Sequence, residues 1–171
     1  MNAVEYYAYW DSPLGRMLLV ASDSALTGVH FVGEKYYPAI CAAWRPHASA
    51  NFIVQARLQL AAYFAGERKH FDLVVEPPGT PFQRRVWRAL QDIPHGVTEN
   101  YGAVARRVGE PNASRAVGAA NGRNPISIVI PCHRVIGANG DLTGYAGGLA
   151  RKAALLRLEA EGAGEYRLTP N

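Results

Sequence analysis

The first third of the chain gathers its apolar positions into three short runs, "VEYYAYW", "RMLLVAS" and "LTGVHFV", separated by the turn signals "DSPLG" and "DSA". Runs of β-branched and aromatic residues bounded by Gly, Pro, Asp and Ser predict antiparallel strands over residues 4–32. From about Ser49 the period lengthens. Phe52, Ala56, Leu60 and Phe64 recur near the helical repeat, and Gly66 ends the helix. "HFDLVVE" predicts one more short strand, and "PPGT" a joint between two lobes, residues 1–78 and 79–171.

Beyond that joint the pattern turns helical. "TPFQRRVWRALQDI" opens with Thr80 as N-cap, Pro81 in the first helical position and Gln83 completing a capping box. Phe82, Val86, Trp87 and Leu90 form its apolar face. "NYGAVARRVG" predicts a short helix ended by Gly109, and "ASRAVGAANGRN" a second ended near Gly122, with "EPN" turning the chain between them. Two short helices about a tight turn are a helix-turn-helix candidate. A last helix is predicted over "GLARKAALLRLEAEG". Between these lies "NPISIVIPCHRVIGANG", where the apolar run Ile126–Ile130 reads as a buried strand that delivers Cys132 into a turn.

Composition changes this picture little. Apolar residues at 49% and charged residues at 19% are globular values, and 171 residues suffice for a sizeable core. No apolar run reaches the length of a membrane span and no signal pattern opens the chain, so a cytoplasmic protein without membrane contact is expected. Two cysteines far apart make no disulfide framework, and no paired Cys or His spacing predicts a metal site.

Charge becomes informative once it is located. Residues 1–75 hold six basic and six acidic side chains, whereas residues 76–159 hold eleven basic and six acidic. The positive surplus lies with the cysteine motif and points to a polyanionic partner. The second helix of the pair carries small side chains (Ala113, Ser114, Ala116, Gly118, Ala119, Ala120) and one projecting cation, Arg115. Close packing against a neighbour would produce the same composition. A major-groove reader would offer Asn, Gln, Arg and Lys to base edges, so a DNA reader built on this helix would not be sequence-specific.

A cysteine reacts as its thiolate, which a neighbouring base can generate. His133 has the chemistry, but adjacent residues of an extended chain point to opposite sides. The pair therefore needs a turn after Pro131 or a bridging water. A third group should orient the imidazole, and Glu159 in the last helix is the candidate. Cys41, in "AICAAW", has no such partners and is read as a packing residue.

Taken together, "GTPFQRRVWRALQDIPHG", "NYGAVARRVG", "SRAVGAANGRNPISIVIPCHRV" and "IPCHRVIGANGDLTGYAGGLARKAALLRLE" closely resemble the O6-alkylguanine-DNA alkyltransferases. The match is dense over residues 79–159, and "PCHRV" in this frame is highly specific. The resemblance implies an α+β protein: an N-terminal ribonuclease-H-like α/β lobe and a C-terminal lobe with a winged helix-turn-helix. It implies Cys132 as the alkyl acceptor, His133 and Glu159 as its activators through a water, and Asn124 as a hinge ordering the active-site turn. Tyr101 would rotate the nucleotide out of the duplex and supply a proton to the leaving guanine. Arg115 would take the nucleotide's place, with Ala113, Ser114, Ala116, Gly118, Ala119 and Arg134 completing the DNA-facing set. Val135, Tyr145, Ala146 and Gly147 would border the extruded base, with Lys152 just beyond.

The implied reaction is stoichiometric transfer of an alkyl group from O6-alkylguanine, and from O4-methylthymine, to the protein's own cysteine. The partner would be double-stranded DNA met through its minor groove by a monomer, with no cofactor. The resemblance has departures. Asn100 stands where many members have serine, Ala146 occupies a variable loop position, and the zinc-binding cysteines and histidines of some members have no match. The rival reading is a non-catalytic binder of alkylated DNA that recruits other factors. Relatives of that kind lack the acceptor cysteine, which this chain retains together with His133 and Glu159.

Overall fold

The computed structural model describes residues 4–163 and divides the chain into two compact units. The first takes in the chain up to Pro78 together with Pro125–Ser127, and the second takes in Gly79–Asn124 and the chain from Ile128 onward.

Three strands of the first unit follow the sequence pattern: β1 (Tyr6–Ser12), β2 (Gly15–Ala21) and β3 (Leu26–Phe31). β1 and β2 form a hairpin closed at Ser12 and Gly15, and Gly15 adopts φ 123°, a backbone open to glycine alone among common residues. A two-residue strand, β4 (Arg45–Pro46), adds parallel to β1 and completes the order β3-β2-β1-β4. Met17 to Ala21 are all buried, which explains the unbroken apolar run of β2: a central strand covered on both faces has no polar side to present.

Helix α1 (Asn51–Phe64) buries Ile53, Ala56, Leu60 and Tyr63, so the core stripe is rotated from the one expected. Ala56 and Leu60 hold, but Phe52 and Phe64 lie at its margin and are only half-buried. Gly66, at φ +76°, ends the helix as predicted. The strand expected over "HFDLVVE" is reduced to one bridge, Leu26 to Val75. That segment nonetheless pairs its backbone with β3, through Leu26 N–H to Val74 O at 2.8 Å and Glu76 N–H to Leu26 O at 2.9 Å. Further along β3, Val29 N–H donates to Pro125 O at 2.9 Å and Ser127 N–H to Val29 O at 3.0 Å. The outer edge of the sheet is thereby occupied rather than left as a template for other chains.

The second unit is mainly helical. Helix α2 (Pro81–Leu90) has the predicted capping box in full: Gln83 N–H donates to Thr80 Oγ1 at 3.1 Å and Thr80 N–H to Gln83 Oε1 at 3.0 Å. Its buried residues are Val86, Trp87, Ala89 and Leu90. Trp87 lies so close over Gly79 that a Cβ there would meet the indole at 2.4 Å, so position 79 admits no side chain. A short strand β5 (Glu99–Asn100) leads into helix α3 (Tyr101–Arg107), and Asn100 caps it by accepting from Ala103 N–H at 2.8 Å. The departure from serine at position 100 therefore retains a good N-cap.

Gly109, at φ +81°, follows the end of α3, and a tight turn leads to helix α4 (Ser114–Gly122). Trp87 Nε1 donates to Ala120 O at 2.8 Å and ties α4 to α2. Strand β6 (Val135–Ile136) pairs parallel with β5, and helix α5 (Leu149–Ala163) closes the described chain. Among the described residues no helix is long and apolar enough to cross a membrane, and no group of three or more His, Cys, Asp or Glu could hold a metal ion.

Candidate active site

The run Ile126–Ile130 is not a strand. Ile128 sits at φ +73°, unusual for a β-branched residue, and turns the chain after the bridge at Ile126. The next reversal is an inverse γ-turn centred on Pro131 (φ −83°, ψ 62°), closed by Cys132 N–H donating to Ile130 O at 2.8 Å. Cys132, His133 and Arg134 then form a single 3-10 turn. The turn required after Pro131 is thus present, and the opposition of neighbouring side chains that an extended chain would impose does not apply. Two side-chain amides hold this segment. Asn124 Nδ2 donates to Ile130 O at 2.7 Å, and Asn121 Nδ2 donates to Cys132 O at 3.3 Å.

Behind the cysteine lies a buried charged cluster. His133 Nε2 and Glu159 Oε1 are 2.7 Å apart, with both side chains essentially inaccessible. Arg134 grips the same carboxylate, Nε to Oε2 at 2.9 Å and Nη2 to Oε1 at 2.8 Å, while its Nη1 donates to Ile93 O at 2.6 Å. Arg134, expected on the DNA-facing surface, is instead only 6% exposed and committed to Glu159, so that assignment is corrected. Burial lowers the pKa of His133 below its ordinary 6.5, only partly opposed by Glu159, and Arg134 and Lys152 lower it further. Burial opposes ionisation of Glu159, but His133 and Arg134 together outweigh it and hold the carboxyl well below the usual range.

The cluster fixes a tautomer. An ionised carboxylate only accepts hydrogen bonds, so a neutral His133 carries its proton on Nε2 and presents Nδ1 as a base. That Nδ1 is buried and has no hydrogen-bond partner among the described residues. A histidine oriented by a buried carboxylate, next in sequence to a thiol, is the set of groups on which nucleophilic catalysis draws. Cys132 itself is 4% exposed. Cys41, by contrast, is exposed, which corrects its reading as a packing residue.

The expected substrate-loop residues occupy different positions. Val135 is buried within β6, and Tyr145 and Gly147 are buried in the segment before α5, with Ala146 half-buried between them. Lys152 is fully buried in α5, not on a loop, and its Nζ donates to Val135 O and Thr143 O at 2.6 Å each. Burial lowers its pKa to about 8, opposed by Cys132. Thr143 also meets Tyr101, whose Oη lies 3.2 Å from both Thr143 O and Thr143 Oγ1. Neither Thr143 nor Asn121 was identifiable from the sequence, because each acts on a backbone carbonyl or a hydroxyl that only the fold brings near. On α4, Arg115, Ala116 and Ala119 are exposed, Ala113, Ser114 and Gly118 half-buried, and Val117, Ala120 and Asn121 buried. The ring of Tyr101 packs beside Gly118.

Known proteins share this organisation. Residues 81–161 match the family model described as the DNA binding domain of 6-O-methylguanine DNA methyltransferase, and residues 5–77 match that of its ribonuclease-like domain. The methylated-DNA--protein-cysteine methyltransferase of Methanosarcina acetivorans is 51% identical over 154 residues, covering 90% of this chain and 97% of that protein. Its counterpart from Mycolicibacterium paratuberculosis is 52% identical over 155 residues, covering 90% and 91%. Among solved structures, Mycobacterium tuberculosis OGT in complex with DNA aligns with a TM-score of 0.85 at 48% identity, covering 92% of this chain and 94% of that one.

Proposed function

The chain belongs to the 6-O-methylguanine DNA methyltransferase family, and from that membership we propose how its own residues carry out the transfer. It is a methylated-DNA–protein-cysteine methyltransferase that repairs DNA by direct reversal, and DNA is its partner. The non-catalytic alternative is set aside. In this reading Cys132 is the acceptor. The observation that carries the assignment is the neighbouring His133, oriented by Glu159 with its buried Nδ1 left as a base. The thiol proton passes to Nδ1 through a bridging water. The thiolate lone pair then attacks the alkyl carbon in line with the bond to O6, a C–S bond forms, and the C–O electrons return to the guanine. A proton donated by Tyr101 or a water neutralises the leaving base.

The alkylated oxygen is buried in the duplex, so the nucleotide must leave the stack first. We propose that α4 approaches the minor groove through its small exposed face and that Arg115 fills the gap. Asn124 sets the turn, and the Thr143–Ala146 segment, held by Lys152 and Tyr101, borders the base. O4-methylthymine presents a similar alkyl–oxygen bond and is a second substrate of the same chemistry. The reaction belongs in the cytoplasm, where unpaired thiols stay reduced. Arg115→Ala should slow repair of duplex DNA by roughly 10- to 100-fold, the few kcal/mol that unstacking a base costs, and leave reaction with free O6-benzylguanine near the parent rate. Equal slowing of both would make Arg115 a residue of the fold.

The function is tested by intact-mass analysis with a duplex containing O6-methylguanine in excess. Product should rise to one equivalent per protein and stop, with one added methyl mass on the peptide containing Cys132. A thioether offers no electrophilic carbonyl for an activated water to attack, so nothing in the cluster regenerates the thiol. Sustained turnover, or a protein recovered unmodified after repair, would overturn the reading.

A further inference from the structure

We infer that Asn121 is a positioning residue for the reaction: it holds the Cys132 backbone from the end of α4, the helix proposed to meet DNA. The inference rests on Cys132 being the acceptor. Asn121 is 2% exposed and lies on the buried face of α4 with Val117 and Ala120. Its Nδ2 donates to Cys132 O, the carbonyl that also accepts from Val135 N–H at the close of the 3-10 turn. Three residues later, Asn124 Nδ2 donates to Ile130 O. The two amides therefore hold the carbonyls on either side of Pro131, and Asn121 takes the one belonging to the nucleophile itself.

The amide is costly in this place. Its Oδ1 is buried and has no hydrogen-bond partner among the described residues, and a buried polar atom left unsatisfied is unfavourable. A leucine of similar volume would fill the site without that penalty, so packing alone does not call for asparagine. What leucine lacks is the donor. The bond joins the last turn of α4, whose backbone is already fixed by Trp87 through Ala120 O, to the peptide that carries the thiol. In-line displacement requires the sulfur to be aligned with the breaking bond, and small misplacements are costly in rate. Asn121 supplies alignment without touching the reacting atoms.

The test compares the parent protein with Asn121→Leu and the smaller Asn121→Ala in single-turnover reactions. Free O6-benzylguanine reports oriented transfer, and iodoacetamide, which alkylates a thiolate with little demand on orientation, reports the Cys132 thiolate once its adduct is mapped apart from that of the exposed Cys41. Both variants should melt cooperatively, lose roughly tenfold or more of the maximal benzyl-transfer rate per folded protein, and keep the parent rate with iodoacetamide. Parent benzyl-transfer rates in both variants, an equal fall with the two reagents, or failure of both variants to fold would each overturn the inference. Peptide mapping of the parent keeps its basis separate: benzylation away from Cys132 removes the assignment of the acceptor, whereas benzylation at Cys132 with unaffected variants removes only the role of Asn121.

Discussion

Cys132→Ser should abolish alkyl transfer, lowering the rate by on the order of 10³-fold or more, while leaving the fold and the binding of undamaged DNA in place. A serine hydroxyl is a weak nucleophile at its free pKa, and the cluster behind it is poor help. His133 is a base whose pKa is pushed down by burial, suited to a thiol and not to a hydroxyl. Removing one member of a set that works as a unit costs nearly the whole effect. Oxygen for sulfur is also a small change of volume in a well-packed site, so stability should move little. The exposed Cys41 makes the control decisive. Transfer with an accessible but unactivated thiol is expected to be negligible, and mass mapping of the serine variant should find residue 41 unmodified after the parent has reacted to completion. Alkylation of Cys41 at the parent rate would show that the chemistry lies elsewhere.

Local signals were legible where the cause is local. The capping box of α2 is written in Thr80, Pro81 and Gln83, and the hairpin of β1 and β2 in the residues around Gly15. The chemistry of a reactive thiol pointed to Cys132, His133 and Glu159 as candidates, and the family frame around "PCHRV" implied their roles. What failed depends on distant partners. Arg134 reads as one more cation of a basic lobe, and nothing nearby announces that Glu159, 25 residues on, neutralises it. Lys152, expected beside the loop that borders the base, instead has its ammonium taken indoors by two backbone carbonyls, Val135 O and Thr143 O. Ile126–Ile130 has the composition of a strand. Its path is set instead by the bridge to Val29 and the amide of Asn124, so tertiary pairing overrides β-propensity there.

Glu159→Gln should cost the protein both its stability and its reaction, and a second pair of substitutions should separate the two. The carboxylate answers Arg134 and His133 at once, in a site with 1% exposure. Leaving a buried charge without its partner costs about 3–5 kcal/mol, a large part of the roughly 5–15 kcal/mol that a domain possesses. At ~2–4 °C per kcal/mol for a chain of this size, the melting temperature should fall by about 10 °C. Acid should act on the parent in the same way. Glu159 has a folded pKa below its ordinary 4.5, so its contribution is complete above that value and is lost as pH falls through the range beneath it. His133, depressed from 6.5, begins to subtract stability once pH drops below that value, because the unfolded chain binds the proton first. Now Glu159→Leu combined with Arg134→Met removes both charges and leaves apolar groups of similar bulk. Such replacements of buried ion pairs are often neutral or stabilising, so the melting temperature should recover most of what Glu159→Gln loses. Alkyl transfer should not recover, because His133 keeps no acceptor to fix its tautomer and Nδ1 is no longer the assured base. Thermal melts and single-turnover rates on the same preparations read the two effects independently. Recovery of the rate together with the stability would reduce Glu159 to a support of the fold and leave His133 without an orienting partner in the mechanism.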